Sequence, residues 1–170
     1  LGNGVDPMDL IANYGVDSLR FYLTTDVSLG TDLRFDEEKV KSTWNFINKL
    51  WNASRFVLMN IETLEKYDFS ALNNQDKWIL TKYENLLKKV TKQMDKYEFN
   101  LVGSEIYSFV WEDFCSNYIE FSKFSNDSLT TKSVLRYVLE GILKLLHPFM
   151  PFVTEEIYQM LPFKEHDSIM

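Results

Sequence analysis

The 170-residue chain is 45% hydrophobic and 25% charged, the mix of one large or two small globular domains and not of a disordered or fibrous polymer. Its formal net charge of −7 argues against indiscriminate binding to nucleic acid or anionic membranes, where phosphate contact depends on Lys and Arg. The lone Cys115 excludes an internal disulfide and fits a reducing compartment. No apolar run reaches the roughly 18 residues needed to span a membrane, and residues 1–10 lack the features of a signal peptide.

Only six glycines and four prolines interrupt a chain whose aromatics reach 15%, which predicts long helices around a bulky core. Asn3-Gly4 and Asp6-Pro7 are turn signals. Asp6 as N-cap and Pro7 at the first helical position predict a short helix through Tyr14, stopped by Gly15. A second helix starts at Asp17 with Leu19, Tyr22 and Leu23 apolar, and residues 28–32 read as a loop. Over residues 36–64, Val40, Trp44, Ile47, Trp51 and Leu58 recur on one helical face. A polar connection at 65–76 leads to a helix at 77–97 with Ile79, Tyr83, Leu86, Val90, Met94 and Tyr97 inward. Residues 99–123 form a helix with Ile106, Val110, Phe114, Tyr118 and Phe121 on its apolar face. After a turn at 125–128, a helix at 129–146 turns Leu135, Val138, Ile142 and Leu145 inward. Pro148 and Pro151 end it, and a short helix follows at 154–160. Strand alternation appears nowhere. The expected fold is all-α: a bundle of four long helices with a short helical N-terminal connective segment.

These residues supply no catalytic centre. His147 and His166 have no second His or Cys at metal spacing, so no metal site is expected. There is no Gly-rich phosphate loop. Glu112 and Asp113, like Glu155 and Glu156, are adjacent and so diverge by about 100° on a helix. His147 reads as structural at a helix end, and Cys115 as an inert core thiol.

Two constellations remain. Asp17 and Arg20, three apart, can pair on one face, with Asp17 also complementing its helix N-terminus. In the run WNFINKLWNASRF at 44–56, the core face is Trp44, Ile47 and Trp51, while Asn45, Lys49, Asn52 and Phe56 form a second stripe. Amides and an ammonium contact phosphates or base edges, and a ring stacks an unpaired base, worth ~1–3 kcal/mol. The competing reading packs Phe56 under the N-terminal segment or a neighbouring helix. Charge is also segregated. Residues 77–96 hold six Lys against Glu84 and Asp95, whereas 98–120 hold five acids and no Lys or Arg. A solvated face is the ordinary meaning of such a Lys-rich helix.

At this point the chain resembles the valyl branch of the class I aminoacyl-tRNA synthetases. Leu1-Gly2-Asn3-Gly4-Val5-Asp6-Pro7 is similar to the stretch after that family's KMSKS signature, and Gly15-Val16-Asp17-Ser18-Leu19-Arg20 resembles its GADALR motif, with Ser18 where Ala is usual. Asp32-Leu33-Arg34-Phe35, Trp44-Asn45-Phe46, Asn48-Lys49-Leu50-Trp51-Asn52-Ala53 and Leu146-His147-Pro148-Phe149-Met150-Pro151-Phe152 with Thr154-Glu155-Glu156 extend the likeness over essentially the whole chain.

The resemblance implies a connective segment at 1–35 and a helical anticodon-binding domain at 36–170. It implies an anticodon and tRNA contact at Phe56, which would stack, and at Lys49, with Asn45 and Asn52 on the same stripe. Asp17 and Arg20 would be a structural motif. Glu38 departs from the family by standing where some relatives carry a basic residue. By the same resemblance, a cytoplasmic parent enzyme joins valine to its tRNA through valyl-adenylate, using ATP and Mg2+. Its catalytic and editing domains would lie upstream and a coiled-coil arm downstream, so this portion alone would be inactive, with no cofactor of its own. The expected partners are valine tRNA isoacceptors and those neighbouring domains, with no membrane. The same domain of an isoleucyl or leucyl enzyme, and a helical protein–protein scaffold, are the alternatives.

Overall fold

A computed structural model of the chain describes residues 4–26, 35–125, 128–164 and 166–170. The turn expected at Asn3, the loop at 28–32, the middle of the turn at 125–128 and the family-like residues Leu1, Gly2, Asn3, Asp32, Leu33 and Arg34 lie outside these. The described residues form the expected all-α bundle of four long helices. Asp6 opens α1 (Pro7–Tyr14) by accepting from the Met8 amide at 2.8 Å, and Gly15 ends it. Gly15 has φ 78°, a region that favours glycine, and this turns the chain directly into α2 (Val16–Thr25).

Helix α3 (Glu37–Ile61) starts where Asp36 accepts from the Glu38 amide at 3.0 Å. Its inward face corrects the sequence reading. Val40 is buried as expected, but it continues through Thr43, Phe46, Leu50, Ala53, Ser54, Val57 and Ile61, not through Trp44, Ile47, Trp51 and Leu58. Trp44 is 42% exposed and the other three are half-buried. Both stripes have helical spacing, so periodicity alone does not choose between them; the positions of the neighbouring helices do. Trp44, Ile47 and Trp51 line an open groove of about 480 Å3 with Tyr14, Asp17 and Phe152.

Helix α4 (Asn74–Met94) begins three residues before the expected start at 77. Asn73 and Asp76 close a capping box, and Asp76 is fully buried. Its carboxylate accepts from the Tyr118 hydroxyl at 2.6 Å and from Thr131 at 3.3 Å, tying three elements together. Ile79, Tyr83, Leu86 and Val90 face inward as expected, but Met94 is half-buried and Tyr97 lies exposed beyond the helix at φ 59°.

The helix expected over 99–123 is not uniformly α. It runs as α5 (Phe99–Ser108), a π-helical segment (Phe109–Tyr118) and α6 (Ile119–Ser122). Ile106, Val110, Phe114 and Tyr118 recur every four residues, which on an α-helix drifts by about 40° per step. Widening the turn to i→i+5 bonding keeps all four buried, while Phe121, past the π segment, emerges to solvent.

Helix α7 (Leu129–Leu146) runs through the centre, buried on most sides, although Leu145 is only half-buried. A Cβ on Gly141 would sit 2.0 Å from the Tyr83 hydroxyl, so glycine permits α4 to cross there. Buried Arg136 pairs with Glu140 and donates to the Tyr67 hydroxyl and the Phe163 carbonyl.

Helix α8 runs from Pro151 to Gln159, three residues ahead of the expected start. Its own N-cap residue, Met150, offers no side-chain bond. Asp17, 136 positions earlier, substitutes by accepting from the Val153 amide at 2.7 Å. Arg20 donates to the Pro148 carbonyl at 3.4 Å. The expected Asp17–Arg20 ion pair is therefore replaced: among the described residues the two form no salt bridge, and both reach across to the α7–α8 corner. Burial is the reason, since Asp17 is 6% exposed and a buried carboxylate needs a fixed amide donor more than a solvated guanidinium.

Candidate nucleic-acid interface

The stripe of Asn45, Lys49, Asn52 and Phe56 projects from the side of α3 away from its buried row. Asn45 and Asn52 are exposed; Lys49 and Phe56 are half-buried. The four stand on one rigid helix whose inner face is anchored by Phe46 and Leu50, both at 0% exposure. Phe56 is half-buried and packs against the main core cluster. The Lys123 ammonium lies 5.8 Å from its centroid and is itself paired with Glu120 at 2.7 Å.

Lys49 faces the π segment. Its Nζ lies 4.1 Å from the centroid of Trp111 and donates to the Ser116 hydroxyl at 3.1 Å. Trp111 stacks on Tyr107 at 5.6 Å and 8°, and Tyr107 stacks on Phe46 at 4.8 Å. The ammonium is thus linked through three rings to the buried row of its own helix. Trp111, Ser116 and Lys123 escaped the sequence reading. They sit in the stretch whose dominant signals were a buried face and an acidic composition, and the π register that turns Trp111 and Ser116 together is invisible to α-helical spacing.

The charge segregation resolves into pairs. Lys82 meets Asp113 at 3.3 Å and Lys89 meets Glu105 at 3.0 Å, so the acidic helix neutralises part of the basic one beside it. Glu38 lies in the first turn of α3 and pairs with Lys41 at 3.6 Å, which complements the helix N-terminus. His147 caps α7 and contacts the Thr154 hydroxyl at 2.8 Å, a structural position. Burial pushes the Cys115 thiol up to about 11, which leaves it unreactive at neutral pH.

An all-α bundle presenting amides, an ammonium and a half-exposed ring along one helix is a surface suited to a structured nucleic acid. Residues 76–170 match the family described as the anticodon-binding domain of tRNA ligase, and the chain belongs to that family. The chain is 54% identical to a valine–tRNA ligase of Bacillus cereus and 56% identical to that of Bacillus licheniformis, in each case over 99% of its length. It is 54% identical over 95% of its length to the Bacillus subtilis valine–tRNA ligase. It spans about a fifth of the length of these curated relatives. The fold is shared with a LeuRS of Agrobacterium radiobacter, solved as a ternary complex with tRNA and LeuAMS (TM-score 0.75, 19% identity, 96% of this chain and 21% of that one). It is shared also with the Mycobacterium tuberculosis methionyl-tRNA synthetase bound to methionyl-adenylate (TM-score 0.76, 22% identity, 92% of this chain and 34% of that one).

Proposed function

We propose that this chain binds the anticodon arm of valine tRNA, as part of a cytoplasmic enzyme that ligates valine to that tRNA. The observation that carries the reading is the α3 stripe. In a chain belonging to an anticodon-binding family, an accessible ring, an ammonium and two amides share one outward face of one helix. Phe56 stacks an unpaired anticodon base, Lys49 contacts phosphate or a base edge, and Asn45 and Asn52 read or brace the neighbouring nucleotides. Asp17 and Arg20 act structurally, by holding α2 to the α7–α8 corner. Residues 1–35 serve as a connective segment and 36–170 as the binding domain. The 54–56% identities to valine–tRNA ligases favour valine tRNA over the isoleucine and leucine alternatives.

ATP and Mg2+ belong in this reading to the remainder of the enzyme. Among the described residues no three His, Cys, Asp or Glu side chains are grouped so as to hold a metal ion. No helix among them is long and apolar enough to cross a membrane.

Fluorescence titration of the chain against valine tRNA and a non-cognate tRNA, across a salt series, tests the proposal. Preferential binding of valine tRNA, with affinity falling as salt rises, is expected. Equal affinity for both tRNAs at low salt would remove the recognition role.

A further inference from the structure

The π segment makes a cradle for Lys49. Ser116 donates its hydroxyl proton to the Trp111 carbonyl at 2.7 Å, an i to i−5 bond, and Asn117 repeats the pattern with the Glu112 carbonyl at 2.9 Å. With its proton committed to the backbone, the Ser116 oxygen presents lone pairs, and Lys49 donates to them at 3.1 Å. Residues five apart diverge by about 140° on an α-helix, so an uninterrupted α-helix would turn Ser116 away from the side Trp111 occupies. In the π register both meet the same ammonium. One face of the Trp111 ring is covered by Tyr107, stacked at 8°, and Lys49 lies over the ring at 4.1 Å. The indole thus already serves as a platform for a cation.

We propose that Trp111 and Ser116 are positioning residues for RNA recognition: together they fix the Lys49 ammonium on the α3 stripe, leaving its remaining N–H donors for the anticodon. The inference rests on the role of Lys49 given above. An untethered lysine must lose the rotamer freedom of a four-carbon stem when it binds, whereas one held by a ring and a hydroxyl has already lost most of it.

The test is a double-mutant cycle read by anisotropy of a labelled valine-tRNA anticodon stem-loop. Trp111→Leu and Ser116→Ala are each expected to weaken binding about two- to fivefold. Both are expected to have no further effect in a Lys49→Met background. Trp111→Phe and Ser116→Thr, which keep a ring and a hydroxyl, should recover most of the loss. Equal losses with and without Lys49 would overturn the cradle, because the two residues would then act through the fold or by touching RNA. Normal binding by both variants while Lys49→Met is weakened would overturn the cradle and leave the anticodon reading standing. Normal binding by Lys49→Met and Phe56→Ala would overturn both. Should Trp111→Leu fail to fold, Ser116→Ala, at an exposed position, decides the matter alone.

Discussion

Along α3, Val40, Phe46, Leu50, Val57 and Ile61 are wholly buried, whereas Asn45 and Asn52, a short step round the same helix, are exposed and Lys49 and Phe56 are half-buried. The inner row is held by packing alone. The outer row is held by being on the same rigid rod, with Lys49 further tethered to the π segment. Under the proposed function, stability and recognition fall to residues one or two positions apart, and substitutions should separate them cleanly.

The largest expected effect is on the inner row. Phe46→Ala removes a ring stacked between Phe21 and Tyr107 and should lower stability by about 3–5 kcal/mol in urea unfolding. A loss under about 1 kcal/mol would show that α3 is not anchored there. Asp76→Ala comes next, at about 2–3 kcal/mol, because it strands the Tyr118 and Thr131 hydroxyls in the core and opens the α4 capping box. Burial and the Asp76 carboxylate also push the Tyr118 phenol well above its ordinary value, so it stays a donor at any working pH.

On the outer row, Phe56→Ala should weaken anticodon binding by about 1–3 kcal/mol while leaving the chain folded. If its thermal midpoint instead falls as far as that of Phe46→Ala, Phe56 is a core residue and the stacking role fails. Lys49→Met should reduce the steepness of the salt dependence by about 0.7 in the log–log slope; an unchanged slope would mean Lys49 meets no phosphate.

The smallest effect concerns the corner that Asp17 closes. Burial raises its carboxyl above the ordinary value, against the Val153 and Phe152 amides and the Arg20 charge, which lower it. The folded chain therefore binds that proton more tightly than the unfolded one. The stabilising contribution is complete below the ordinary carboxyl value and is lost as pH rises through the raised one. Thermal midpoints of the parent chain and Asp17→Asn, measured side by side, should shift against the parent as pH rises across that window. A shift in its favour would mean that the Val153 amide outweighs burial.

Much of this was legible in the residues, and the failures are informative. Asp6, Pro7 and Gly15 marked α1 because capping, ring-fixed φ and positive φ are local requirements. The 79–90 row of α4 was legible because only one apolar stripe exists there. On α3 two apolar stripes compete, and spacing points to the outer one: Trp44 and Trp51 are larger than Thr43 and Ala53, yet size says nothing about which side the bundle lies on. The outer polar stripe is legible as a pattern, because a polar row interrupted by a phenyl ring stands out on any helix. Trp111 and Ser116 were missed because their partnership depends on a local change of helical register.

By itself, then, the sequence determined the helical class, most of the helix ends, the family likeness and the four-residue stripe on α3, all of which are properties of neighbours within a turn or two. Only the tertiary structure decided which face of α3 is inside, that Asp17 caps a helix 136 positions away, that Asp76 is buried between three elements, and that Lys49 is held by Trp111 and Ser116. The physical reason is that each depends on partners distant in sequence: the inner face of α3 is set by where the neighbouring helices lie, and the other three by polar groups. A buried carboxylate or a tethered ammonium is stabilised by donors or rings brought from elsewhere in the chain, and the spacing of residues along one helix does not encode where those partners are.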